Sequence, residues 1–262
     1  MEPFTGVPPC IRVRDLSIGF GSLAVIEALS LTVHSGEFIS LLGPSGCGKS
    51  TLLRAMAGLI EAPAGTVEYA AGAPGGGSPA LSVGFAFQKP LLLPWRTTLE
   101  NVLLPVEIEL GGDTVRHSDG RRARRILELV RLAGFEDAFP NQLSGGMQQR
   151  AAIARALMPD PELLLMDEPF GALDELTREA LNEELLRIWW SRETRLKTIV
   201  MVTHSIAEAV ALSDRIFVFG SRPMRKLEIV AVDLAHPRAP DSVEFAQVVG
   251  RVRALVRGAS QG

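Results

Sequence analysis

Two periods of apolar and polar residues run along this chain, and the changes between them mark the predicted elements. IRVRDLSI (11–18) and AVIEALSLTV (24–33) predict strands around a glycine-containing turn, GFGS (19–22). FISLLG (38–43) is a short apolar run ending in glycine, which predicts a buried strand, and KSTLLRAMAGLI (49–60) has helical spacing. TVEYAAGAPGGGSPALSVGFAF (66–87) predicts strand, loop and strand, with Gly75, Gly76 and Gly77 in a surface connection. LENVLLPVEIEL (99–110) and ARRILELVRLAGF (123–135) predict helices. LLLM (163–166), KTIVMVTH (197–204), RIFVFG (215–220) and LEIVAVDL (227–234) predict strands. ELTREALNEELLRIWW (175–190), SIAEAVALSD (205–214) and VEFAQVVGRVRALV (243–256) predict helices. Strands alternating with helices imply an α/β fold with a largely parallel sheet. The helix-rich block 88–157 is expected to be an insertion into a core made of 1–87 plus 158–262, all within one domain, 1–262.

Composition narrows this picture only a little. The chain has 262 residues, 47% of them hydrophobic, and a net charge of −3. That suits a folded α/β domain and gives no bulk attraction for nucleic acid. Its two cysteines, Cys10 and Cys47, form no spaced pair, so neither a zinc nor a disulfide framework is expected and a reducing cytosol fits. The N-terminus lacks the apolar segment of a secretory signal, and no run approaches the roughly 18 apolar residues of a membrane span.

Chemistry concentrates in two stretches. GPSGCGKST comprises Gly43, Pro44, Ser45, Gly46, Cys47, Gly48, Lys49, Ser50 and Thr51 and fits G-x4-G-K-[S/T] between a predicted strand and a predicted helix. Glycines let backbone N–H groups wrap phosphate oxygens, Lys49 reaches the β- and γ-phosphates, and the Ser50 hydroxyl can ligate Mg²⁺. Cys47 reads as a filler of a small loop position. LLLMDEPF (163–170) is an apolar strand ending in two carboxylates. Asp167 is placed to hold Mg²⁺ and Glu168 to polarise a water for attack on the γ-phosphate. LSGGMQQR (143–150) carries neither nucleophile nor strong acid. Ser144 can cap a helix there, and the free N–H groups of a helix start receive anions.

Together these segments resemble the nucleotide-binding subunit of ATP-binding cassette (ABC) transporters. The cradle 43–51, Gln88 in FAFQKP, LSGGMQQR, LLLMDEPF, GALD (171–174) and His204 in MVTH stand in that family's order and near its spacing, over nearly the whole chain. The resemblance implies a P-loop NTPase core with a mostly parallel sheet, an antiparallel β subdomain and an inserted α-helical subdomain carrying the signature segment. It implies a head-to-tail homodimer in which Ser144, Gly145, Gly146 and Gln148 of one copy face the ATP of the other. Gln88 would contact Mg²⁺ or the attacking water, Asp174 would lie at the dimer contact, and His204 would contact the γ-phosphate unless it is merely structural. Phe20 stands where the family stacks adenine, usually with tyrosine, and otherwise reads as a core phenylalanine. Ser205 stands where the family often has aspartate.

The finer resemblance is to the nitrate, sulfonate and taurine importer group. It rests on FQKPLLLPWRTTLENV (87–102), PFGALDELTR (169–178), THSIAEAVALSDRIFVFGSRP (203–223) and LAHPRAPDSVEF (234–245). It implies an integral membrane permease partner, indirectly a solute-binding protein, and a place at the cytoplasmic face of the membrane. Leu93, Pro94 and Trp95 would dock the permease, with Trp95 open to a second reading as a core anchor. A pyrimidine vitamin precursor or bicarbonate stands beside oxyanions as the solute. From another class comes a nucleic-acid-associated ABC ATPase, for which RRARR (121–125) is the only dense basic run. That run reads as a solvated helix face, and no nucleic acid is expected.

Overall fold

The alternation at the start of the chain builds an antiparallel pair, β1 (Pro9–Phe20) and β2 (Leu23–His34), whose turn is only Gly21 and Ser22. Ile11 and Val13 point inward, then the phase slips and Leu16 and Ile18 do. The register shifts between Val13 and Leu16, where Asp15 takes φ 46°, and again between Leu16 and Ile18, where Ala28 of β2 takes φ 48°. Ser30 Oγ accepts from the Asp15 N–H at 2.9 Å, and Ser17 Oγ accepts from the Ala28 N–H at 2.9 Å, so side chains satisfy the backbone that the bulge frees. β4 (Ala64–Tyr69) pairs antiparallel with the other edge of β1, which completes a three-stranded sheet.

The structure, a computed structural model, describes residues 7–69, 82–111, 116–171, 173–225 and 227–259. The glycine loop around Gly75, Gly76 and Gly77 lies outside the described residues, as does Ala172 of GALD. Two compact units divide the chain, Met1–Leu81 with Lys197–Gly262, and Ser82–Leu196.

Beside the antiparallel sheet, the first unit holds β3 (Phe38–Leu42), parallel to both β7 (Thr198–Val202) and β8 (Arg215–Phe219), with β9 (Leu227–Ala231) antiparallel to β8. Every residue of β3, β7 and β8 is buried, which is why they read as continuous apolar runs. α6 (Ile206–Leu212) and α7 (Val243–Ala259) close over Val210, Ile216, Val218, Val230 and Val252. Charged groups in this core are held by hydrogen bonds. Arg215 donates to Glu37 Oε1 at 2.8 Å and stacks over Phe217, while Asp214 Oδ2 accepts from the Phe38 N–H at 2.9 Å. These contacts fix where β3 starts. α1 (Lys49–Met56) stops four residues before the apolar spacing does, because Gly58 turns left-handed at φ 69° and the Leu59 N–H folds back to Arg54 O.

In the second unit β5 (Val83–Ala86) runs parallel to β6 (Leu163–Asp167). Among the described residues four α-helices accompany them: α2 (Thr98–Glu109), α3 (His117–Leu129), α4 (Gly145–Leu157) and α5 (Glu175–Trp190). α2 opens on a reciprocal cap between Thr97 and Glu100. α3 starts earlier than its apolar stripe predicts and ends at Leu129, with Arg131 at φ 54°. RRARR therefore lies inside α3, with Ala123 buried and Arg122 paired to Asp160 at 3.1 Å.

Candidate nucleotide site

In the first unit the phosphate cradle joins the buried end of β3 to α1. Gly48 takes φ 118°, and a Cβ there would meet Val25 Cγ1 at 2.9 Å, so only glycine lets this loop close on β2. Ser45 and Gly46 at the rim are exposed, and Ser50 and Thr51 are half-buried at the helix start. Lys49 is buried and spans the loop, donating to Gly43 O and Pro44 O at 2.9 Å each. The ammonium is thus held where the loop backbone converges. Burial pushes the Cys47 thiol up, and Lys49 beside it offsets this only in part. A protonated thiol packed in the loop agrees with the filler reading of Cys47.

Phe20 ends β1 with 57% of its surface exposed, which removes the core reading. His204 follows β7 and is exposed. Ser205 caps α6, accepting from the Glu208 N–H at 3.2 Å, and its own N–H donates to Thr203 Oγ1 at 3.0 Å. Aspartate caps a helix in the same way, so serine here preserves the local geometry.

In the second unit the acidic end of β6 is a bent device. Asp167 is buried at the last strand position, and the chain then turns left-handed at Glu168, φ 48°. A non-glycine residue in that region carries strain, held here by the Gly171 N–H on Glu168 O at 3.2 Å. Gln88, just past β5, donates from Nε2 to Glu168 Oε2 at 3.0 Å. Two residues eighty positions apart are therefore joined at their functional atoms.

Ser144 is the N-cap of α4, accepting from the Met147 N–H at 3.3 Å, and no acidic residue sits in that helix's first turn. Gly145 is exposed, while a Cβ on Gly146 would lie 3.1 Å from Thr177 Cγ2 of α5. Gln148 holds the turn before the helix, donating from Nε2 to Pro140 O at 2.9 Å and to Leu143 O at 3.2 Å. Asp174 caps α5 through the Thr177 N–H at 3.0 Å and the Thr177 hydroxyl at 2.7 Å, contacts that draw its carboxyl below the usual range. Trp95 is 71% exposed, which removes its reading as a core anchor.

Two residues escaped the sequence reading. Arg155 of α4 donates to Pro90 O at 2.7 Å and to Leu91 O at 2.8 Å. Fully buried Asn101 accepts from the Leu93 N–H at 2.7 Å and donates to the carbonyls of Leu93, Arg96 and Thr97. Their signal was there: a cation or amide inside an apolar helical stripe needs buried partners.

The oxygen donors fit a hard ion. Hydroxyl, amide and carboxylate oxygens of Ser50, Gln88 and Asp167 are the ligands Mg²⁺ accepts, and an ion carried by nucleotide phosphates needs no protein cage. Among the described residues no group of three or more His, Cys, Asp and Glu could hold a metal.

Comparison with known proteins leads to the same place. A model of the family described as ABC transporter matches residues 26–171. An ABC transporter ATP-binding protein of Methanocaldococcus jannaschii is 47% identical over 222 residues, covering 85% of this chain and 80% of that protein. The aliphatic sulfonates import ATP-binding protein SsuB of Bacillus licheniformis is 42% identical over 244 residues, covering 92% of this chain and 91% of its own. Among solved structures, the dimeric post-hydrolysis state of an ATP-binding cassette bound to ADP and Pi superposes with a TM-score of 0.70 at 30% identity. It covers 86% of this chain and 100% of that one. The fold is accordingly the P-loop NTPase α/β fold, with an antiparallel β part and an α-helical part. This chain belongs to the ABC transporter family, as an ATP-hydrolysing, ATP-binding subunit that resembles the sulfonate importer group.

Proposed function

We propose that this chain energises uptake of a small oxyanion-type solute, of sulfonate, taurine or nitrate character, through a separate permease. The observation that carries the reading is the 42% identity, over nine-tenths of both chains, to a subunit named for aliphatic sulfonate import. Among the described residues no helix is long and apolar enough to cross a membrane. The chain would work as a head-to-tail homodimer at the cytoplasmic face of the membrane, with Leu93, Pro94 and Trp95 toward the permease. Exposed Trp95 supports that placement.

In this reading the backbone of 43–51 and Lys49 bind the triphosphate, and Phe20 stacks the adenine. Ser50, Asp167 and Gln88 would hold Mg²⁺, which when bound neutralises charge between the β- and γ-phosphate oxygens. Glu168 accepts the proton of the attacking water, and Gln88 keeps its carboxylate aimed. His204 contacts the γ-phosphate. Ser144, Gly145, Gly146 and Gln148 present the start of α4 to the nucleotide of the second copy, with Asp174 at the contact. The block 88–157 is the subdomain that carries nucleotide state outward.

Affinity purification of the chain from native membranes in mild detergent tests this reading. Recovery of a polytopic permease and a solute-binding protein that binds sulfonates supports it. A binding protein that takes a pyrimidine precursor or bicarbonate replaces the solute, and recovery with nucleic acid in a salt-sensitive complex replaces the importer.

A further inference from the structure

We propose that Arg155 is a positioning residue that locks helix α4 to the loop carrying Gln88, so that α4 and the Gln88 side chain move as one body. Its guanidinium fork grips two successive carbonyls, Pro90 O at 2.7 Å and Leu91 O at 2.8 Å. Leu91 sits at φ 48°, a conformation that leucine adopts only under restraint, and Arg155 holds the carbonyl of that residue. Burial works against the charge on this guanidinium, so the two carbonyls are the partners that keep it satisfied.

The loop transmits displacement because its far half is also rigid. Asn101 grips Leu93 by both its N–H and its carbonyl, and takes the carbonyls of Arg96 and Thr97 as well. Between Gln88 and the Arg155 grip lies only Lys89. At its other end Gln88 donates to Glu168 at 3.0 Å. Helix α4 begins at Gly145, so about 15 Å of helix joins the signature segment to the grip. A shift of the α4 start is therefore carried to the Gln88–Glu168 hydrogen bond. Lysine replaces this fork only in part, since an ammonium lacks the planar, parallel pair of N–H donors that fixes both carbonyls in one orientation.

The inference rests on the proposed role of Gln88 toward Glu168, and a mutant cycle in the full-length chain separates the two. Steady-state ATP hydrolysis would be measured for Arg155→Met, Arg155→Lys, Gln88→Ala and the double variant Gln88→Ala/Arg155→Met, with thermal melting alongside. Arg155→Met should lower kcat about 5- to 20-fold with KM for ATP within about twofold, and Arg155→Lys should recover only part of the loss. The double variant should be no slower than Gln88→Ala alone, the mark of two residues acting in series. Losses that multiply in the double variant overturn the proposal, as does wild-type kcat in Arg155→Met. Should Arg155→Met fail to fold, Arg155→Lys decides, and full kcat there overturns it. A Gln88→Ala variant with unchanged kcat removes the underlying reading of Gln88 and the inference with it.

Discussion

The cradle and the acidic end of β6 are built on opposite plans. The cradle lies within nine consecutive residues, and its geometry is backbone: glycines, a helix start, and one lysine that donates to loop carbonyls. The second unit instead gathers its candidates from stretches around positions 88, 144, 167 and 174, and engages their side chains in hydrogen bonds of its own. Ser144 and Asp174 cap helices, Gln148 props a turn, and Gln88 meets Glu168. The contrast separates two kinds of site. On the reading proposed above, one is an anion socket of contiguous backbone, whereas the other is a set of levers whose positions depend on helices that pack and cap correctly.

The sharpest break should come at Glu168. Glutamine keeps an oxygen acceptor for Gln88 Nε2 and tolerates φ 48° no worse than glutamate, but it cannot take a proton. Hydrolysis should fall by about 10²- to 10⁴-fold with ATP affinity little changed, and an ATP-dependent dimer should accumulate in size-exclusion chromatography. Full turnover by Glu168→Gln would mean that the acidic end of β6 is not the base.

The socket should fail differently, in binding. If Lys49 makes the proposed charge-assisted contact to phosphate, Lys49→Ala should weaken ATP binding about tenfold to hundredfold in a titration with the labelled nucleotide. Unchanged affinity would detach Lys49 from the socket role.

This difference in plan also sets what was legible in the sequence. The cradle reads directly because strand, loop and helix are contiguous and each position has one job. β3, β6, β7 and β8 were legible for the same reason, as short buried runs. The bulge at Asp15, the stop of α1 at Met56 and the early start of α3 were not, since a hydroxyl partner, a left-handed glycine and the Asp119 carboxylate on the Arg116 N–H mark them in turn and apolar spacing does not register these. Glu168 was legible as a carboxylate, but its left-handed backbone and its bond to Gln88 depend on a strand pairing eighty residues away. Arg155 and Asn101 interrupt apolar stripes, and only the fold supplies the carbonyls that explain them.

Gly146 gives a smaller effect with two separable causes. A methyl there meets Thr177 Cγ2 at 3.1 Å, short of ordinary carbon contact, while alanine in a helix gains up to about 1 kcal/mol over glycine. Gly146→Ala should therefore fold, melt within a few degrees of wild type, and lose several-fold in ATP hydrolysis. Adding Thr177→Ser removes the opposing methyl and keeps the hydroxyl bonded to Asp174. Recovery of activity would assign Gly146 to the packing of α4 on α5. Continued loss would assign it to close approach of a second copy's nucleotide.

The mildest change tests whether a departure from the family pattern matters. Ser205 already does by side-chain oxygen what an aspartate would do, capping α6 at the Glu208 N–H. Ser205→Asp should shift the melting temperature by less than about 2 °C, whereas Ser205→Ala loses the cap and should cost about 1 kcal/mol, or 2–4 °C in a chain of this size. Hydrolysis tells whether the position does more. If the neighbouring His204 needs only a well-placed backbone, Ser205→Asp leaves kcat unchanged within about twofold. A change in kcat at constant melting temperature would show that the added carboxylate alters His204 itself, and would make this exposed turn of the first unit a lever like those of the second.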